Sequence, residues 1–331
     1  MPVTLRRGTV TAITERHDGL VRLEVDGRPC VAYPGLTGPV ALGDDVLVNV
    51  QSVELGLGSG GFDVLHANLT RGLGLPAQVG AHVMKLPYTP LQHAALHVEE
   101  GWSDDDPPDG LGGLPVVCCS LHSQVAPLCA GLGRGLAVAY VQLAGGALPV
   151  TLSDTVRCLR ERDYLRTTVA VGPCVGGELE CVSPASALVA CAALGLDAVV
   201  CAIGPGVVGT GSRFGHGAVA AADAVNAAGA LGGRPVLAPR VSSADGRERH
   251  RGLSHHTLAV LELVRGEVLV AWPEGLEVPA EVGEVEIVDA SDWRSACEGL
   301  PLSHMGRGAD EEPWFFAAAY AAGALARGLV S

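Results

Sequence analysis

A chain of 331 residues is long enough to bury a large core and to hold two domains. Hydrophobic residues make up 48% and aromatics only 4%, so Ala, Val and Gly must do most of the packing, through close contacts between elements. A formal charge of −14 excludes general nucleic-acid binding, which needs a basic face to neutralise phosphates, although an acidic chain can still hold a local basic pocket.

Residues 1–70 read as all-β. Alternation over 9–13 and 20–25, an Asp26-Gly27 turn, and a further strand over 46–50 predict a small barrel-like domain. Such a module serves as a docking element, a lid or a purely structural appendage. Residues 71–113 read as an extended connector. The glycine-rich run over 55–61 lacks the strand–turn–helix setting of a dinucleotide fingerprint. Pro87 and Pro90 keep the segment 82–92 largely extended. Lys85, within it, is the only lysine of the chain, and in a chain that otherwise uses arginine it reads as a ligand-binding candidate retained for its compact amine. The acidic, proline-containing stretch 102–113 reads as a solvated hinge.

From residue 114 to 331 the rhythm becomes β/α. Strands are expected over 115–120, 136–143, 167–171, 197–203, 235–239, 268–272 and 285–288, with helices between them. This predicts an α/β domain with a mainly parallel sheet and helices on both faces. The tail over 311–329 reads as a terminal helix with acidic residues in its first turn, suited to packing on the core or to a homodimer interface.

Ten cysteines are present without a C-x-x-C pair, and Cys118, Cys191 and Cys201 lie inside apolar runs; buried thiols in a cytoplasmic protein are the expectation. No apolar segment follows the N-terminal arginines as a secretory signal would require, and the run 185–203 is interrupted by Gly195 and Asp197, so no membrane association is expected.

In open α/β sheets ligands bind beyond the carboxyl ends of the strands. The residues in those positions are glycine-rich or polar: His122 and Ser123; Gly145 and Gly146; Gly176, Gly177 and Glu178; Gly204, Gly206, Gly209, Thr210, Gly211 and Ser212; Arg240 and Asp245. The glycine loop after 203 suits a phosphate or carboxylate, because glycine lets the backbone approach an anion and the next helix offers free N–H groups. Arg249 and Arg251 flank His250 in an otherwise acidic chain, and Ser254 reads as the N-cap of a helix opening on His255 and His256. His250, His255 and His256 are the catalytic candidates, with Asp245 orienting them. Adjacent histidines diverge by about 100° on a helix, so one of the pair is expected to face the site. No cofactor signature appears. A divalent metal is an open alternative, its candidate ligands being His122, His250, one of His255 and His256, Asp245 and Glu178, with no motif to fix their spacing.

The segments His82-Val83-Met84-Lys85-Leu86-Pro87-Tyr88-Thr89-Pro90-Leu91-Gln92, Gly204-Pro205-Gly206-Val207-Val208-Gly209-Thr210-Gly211 and Arg249-His250-Arg251-Gly252-Leu253-Ser254-His255-His256-Thr257 resemble those of a bacterial family, mainly actinobacterial and Gram-positive, that is known only as a domain of unknown function. The resemblance covers most of the chain and implies no activity. Function therefore rests on the site: an enzyme of transferase or hydrolase type acting on a small phosphorylated or carboxylated ligand. The rivals are a non-catalytic sensor and a structural oligomer.

Overall fold

The alternating strands at the start of the chain close on themselves. In the computed structural model, which describes residues 3–56, 60–72, 74–102 and 107–330, residues 57–59 of the glycine-rich run and 103–106 of the acidic stretch lie outside the described set. The chain divides into two units, Met1–Val79 and Gly80–Ser331. In the first, β1 (Leu5–His17), β2 (Leu20–Val25), β3 (Arg28–Ala32), β4 (Asp45–Asn49) and β5 (Asp63–Asn68) form a closed barrel in the order β1-β2-β3-β5-β4. Two single turns, α1 (Pro34–Thr37) and α2 (Gln51–Glu54), join them. β1 is long enough to pair with β4 along its first half and with β2 along its second, bending at two register shifts. Asp26 and Gly27 both take positive φ (51° and 72°), the geometry a two-residue hairpin turn needs. Val10, Leu23, Val25, Val46, Val48 and Leu65 fill the interior.

The second unit begins with a hairpin of β6 (Val83–Lys85) and β7 (His93–Ala95). An eight-stranded sheet follows, parallel throughout, in the order β11-β10-β9-β12-β8-β13-β16-β17. Its strands are β8 (Pro115–Cys119), β9 (Val138–Leu143), β10 (Thr167–Val171), β11 (Leu179–Cys181), β12 (Ala198–Ile203), β13 (Arg234–Ala238), β16 (Leu269–Pro273) and β17 (Glu286–Val288). A two-stranded ribbon, β14 (Val241–Ser242) and β15 (Gly252–Leu253), projects beyond β13. The central strands β9 and β12 are buried at every position because both faces are covered.

Crossover handedness assigns the helices to faces. From β8 through β11 the chain steps toward one edge, and α3 (Val125–Leu132) and α4 (Asp154–Glu161) cover one face with the later α8 (Trp293–Ala296) and α9 (Pro313–Leu329). From β11 it steps back through β12, β13 and β16, and α5 (Pro184–Ala193), α6 (Ala220–Ala230) and α7 (His255–Leu263) cover the other. β8 therefore sits between β12 and β13 with its following helix on the opposite face from theirs. That reversal makes the carboxyl ends of these three strands a topological switch point, the place where open α/β sheets bind ligands.

β11 was not expected from the sequence. Gly172 and Gly176 take positive φ, and a side chain on Gly177 would strike the Ala170 amide at 2.6 Å. Glycines thus let a short loop return the chain beside β10 without a helix, and the three-residue strand hides in what reads as a loop. The terminal helix begins at Pro313, and its apolar side is buried against the core, with α3 crossing it. Among the described residues no helix is long and apolar enough to cross a membrane.

Candidate functional site

The β14–β15 ribbon holds the loop 243–251 out over the end of β13. The loop folds around one carboxylate. Asp245, buried, accepts from the Arg247 amide at 3.0 Å and from the Arg247 guanidinium at 2.9 and 2.8 Å. Buried Arg240 reaches its other side at 3.3 Å, and Arg307 stands 3.6 Å away. Hydrogen bonding by Arg247 outweighs burial and keeps Asp245 well below the usual carboxylate range. Glu312, fully buried just before α9, accepts from Ser242 Oγ at 2.6 Å, the Ser243 amide at 3.0 Å and Arg307 Nε at 2.8 Å. Burial alone would raise its pKa, and these bonds lower it instead. Three guanidinium groups against two carboxylates leave the network one positive charge.

Against this network lie four imidazoles. Ser254 caps α7, its Oγ accepting from the His256 amide at 3.2 Å and lying 2.7 Å from His250 Nδ1. His255 and His256 occupy the first turn of α7, and His216 rises from the end of the loop after β12. His216 and His256 stack with centroids 4.0 Å apart, and His255 stands edge-on to His216 at 5.1 Å. His250 completes the group, 4.7 Å from His255 and 4.9 Å from His256. Both neighbouring histidines of α7 enter the cluster, their centroids 4.6 Å apart. The 100° separation fixes only where their Cβ atoms start; the cluster wraps around the open end of the helix, so His216 and His250 meet them from different sides.

All four rings are held neutral. Burial is the first cause for each, and the Arg240 charge adds to it. His255 falls to about 4 and His250 to about 3. Hydrogen bonds fix two tautomers. His216 Nε2 faces the Arg213 carbonyl at 3.0 Å and so carries the proton, leaving a lone pair on Nδ1. Arg240 Nη1 can only donate, and it faces His256 Nδ1 at 3.1 Å, so the lone pair of that ring is on Nδ1. His216 Nδ1, His255 Nε2 and Arg240 Nε are buried without a hydrogen-bond partner. A family model described as a protein of unknown function, DUF3866, matches residues 29–323, which include every group named above. The chain belongs to this DUF3866 family. No curated protein matches it.

The other candidates of this DUF3866 chain fall into separate groups. Ser123 Oγ meets His304 Nδ1 at 3.2 Å; His304 stacks on Phe315, and its pKa is lowered to about 4 by burial first and then by Arg240. His122 lies apart from both. Its Nδ1 donates to the Ile203 carbonyl at 3.2 Å, and its Nε2 is 2.6 Å from Ser153 Oγ, the N-cap of α4. Glu178 pairs with Arg160 and accepts from the Thr168 amide. Lys85 is buried, donates to the Cys174 carbonyl at 2.5 Å and pairs with Glu180, which also accepts from the Gly176 amide at 2.9 Å. Lys85 thus ties the hairpin to the loop before β11.

In the DUF3866 glycine loop, space decides where glycine is required. A Cβ on Gly204 would lie 2.1 Å from the Ala147 carbonyl, and one on Gly217 would lie 1.9 Å from that of Gly145. These glycines, with Gly146, let the loops after β9 and β12 touch. Gly209 is pressed against the His216 Cβ, and Gly206 and Gly211 take positive φ. Thr210 and Ser212 bond to each other at 3.0 Å, and the Arg249 guanidinium lies over Gly211. Arg251 is exposed at the end of the ribbon loop.

Sequence reasoning missed His216, His304, Arg307 and Glu312. His216 had a signal: it follows β12 on the same loop as Gly204–Ser212, and extending the edge test to the start of α6 finds it. Glu312 did not, because an acid before a terminal helix ordinarily reads as a solvated dipole partner.

Proposed function

We propose that this protein is a cytoplasmic enzyme of transferase or hydrolase type, which binds a small phosphorylated or carboxylated molecule over the histidine cluster. One observation carries the reading: buried imidazole nitrogens and a buried arginine N–H without partners converge at one strand edge, beside a network with surplus positive charge. Unpartnered buried polar groups cost free energy that a bound ligand recovers. An anion satisfies the surplus charge and the N–H, and a neutral imidazole accepts a proton from the reacting group. Arg249 and the amides around Gly211 line the approach. Ten free cysteines support a reducing compartment.

The test is thermal stability in phosphate, pyrophosphate and small dicarboxylates. Phosphorylated ligand at about 100 times its Kd contributes about 2.7 kcal/mol, which raises Tm by several degrees. Arg249→Gln is expected to reduce the rise. A Tm indifferent to every anion overturns the pocket. Catalysis is tested by His255→Gln, which is expected to abolish turnover of a ligand found in this way; unchanged turnover removes the catalytic role.

A further inference from the structure

We propose that His216, His255 and His256 form a binding site for a divalent transition-metal ion of the zinc class, with a fourth position left for an anionic ligand. The inference rests on the reading of this cluster as the reactive site and adds the ion that organises it.

Three observations carry it. One nitrogen from each of the three rings lies within 4.8 Å of the others. A triangle of that side puts its centre about 2.8 Å from each corner, so shifts of about 0.7 Å bring all three to the ~2.1 Å of a zinc–imidazole bond. Second, two of the nitrogens, His216 Nδ1 and His255 Nε2, are buried without a partner. The lone pair on His216 Nδ1 is imposed by the bond from Nε2 to the Arg213 carbonyl, the arrangement in which a metal-binding histidine is held by its other nitrogen. Third, the donor set is all imidazole, which suits zinc, cobalt, nickel or copper rather than calcium or magnesium.

His256 links the ion to the anion. Arg240 Nη1 occupies its Nδ1, so the metal binds through Nε2, and the ring proton moves to Nδ1. A protonated Nδ1 no longer accepts from Arg240, so Nη1 joins the already unpartnered Nε as a free donor. The freed guanidinium then meets the fourth ligand of the ion. Three neutral imidazoles leave the ion its full charge beside a network that is already positive, so the fourth ligand is an anion: hydroxide or the phosphate or carboxylate oxygen of the substrate. His250, bonded to Ser254, borders the open position without joining the metal. Three histidines and an exchangeable fourth ligand is the arrangement of catalytic rather than structural zinc sites.

The full chain, stripped by a chelator and dialysed, is titrated with Zn2+ and with Co2+. One ion per chain is expected, and the cobalt form is expected to show the intense visible absorption of four-coordination, which phosphate perturbs. His216→Ala and His255→Ala should each weaken binding by more than the 10–100-fold (roughly) that follows loss of an outer partner. Exposed His82→Ala should leave it unchanged. Zinc K-edge absorption of the unaltered chain needs no variant and is expected to count about three imidazoles at ~2.0 Å. No bound ion, an ion indifferent to His216, or a spectrum with one imidazole or none overturns the proposal. Phosphate stabilisation of the stripped chain is measured separately, so a failed metal site leaves the anion pocket to stand or fall on its own result.

Discussion

Replacing Asp245 by Asn is expected to lower stability at pH 7 by about 3–5 kcal/mol, the range for removing one partner of a buried ion pair. The size follows from what is left behind. Asn keeps the shape and two acceptor positions on one oxygen, but Arg240 remains buried without its ion-pair partner, with Glu312 as a weaker, more distant opposite charge, and Arg247 and Arg307 face it as like charges. Burial already pulls Arg240 down to about 10 even with Asp245 present, and that carboxylate is the main charge opposing the fall. The pH dependence has a definite sign. The folded pKa of Asp245 is depressed, so its contribution is complete above the unfolded value of about 3.9 and is lost as pH falls from there toward the folded value. The gap between the parent and Asp245→Asn should therefore be full at pH 7 and about 1 kcal/mol smaller at pH 3. Urea unfolding at the two pH values measures both, provided the m-value is unchanged. A gap under about 1 kcal/mol at pH 7, or one that widens on acidification, shows that Asp245 does not hold the network.

Much of this arrangement is legible in the sequence, and what is not has a common cause. The central strands of the sheet announce themselves as continuous apolar runs because both faces are covered. The ligand edge can be read because chain direction in a parallel sheet puts every strand's carboxyl end on one side. Ser254, His255 and His256 follow from local helix chemistry. Partners brought from a distance are different. Arg307 and Glu312 reach Asp245 and Ser242 from 62 and 70 residues away, and nothing local marks either as a site residue. Lys85 was legible as unusual, but the Cys174 carbonyl and Glu180 that hold it come from beside β11, a strand that sequence reasoning did not find. Tautomers lie further still from the sequence: the lone pair on His216 depends on the Arg213 carbonyl, and so on the turn of one loop.

The second large effect is expected where α3 crosses α9. A Cβ on Gly131 would lie 2.1 Å from the Tyr320 carbonyl oxygen and 2.7 Å from the Ala324 amide; one on Gly323 would lie 2.0 Å from the Leu128 carbonyl oxygen. These neighbours are backbone, and no rotamer change relieves them. The two helices must move apart along a crossing that also buries Leu128, Leu132, Phe316 and Ala326. Gly131→Ala or Gly323→Ala is expected to cost about 3 kcal/mol or more, at the upper end for overpacking. The proper contrast lies in the same helix. Gly328 is exposed, with nothing within 4 Å of its added Cβ, so Gly328→Ala should be neutral or stabilising by up to about 1 kcal/mol. Helix propensity alone predicts stabilisation at both 323 and 328; the packing argument predicts opposite signs, and urea midpoints decide between them. The crossing also bears on the site. α3 starts just after Ser123, which touches His304, and α9 starts just after Glu312, which holds Ser242 and Arg307. Gly323 lies eleven residues, about 16 Å, along α9 from Glu312. A wedge at the crossing therefore displaces both helices whose first ends border the charged network. Gly323→Ala is accordingly expected to weaken phosphate stabilisation as well as the fold, whereas Gly328→Ala should leave the phosphate response intact.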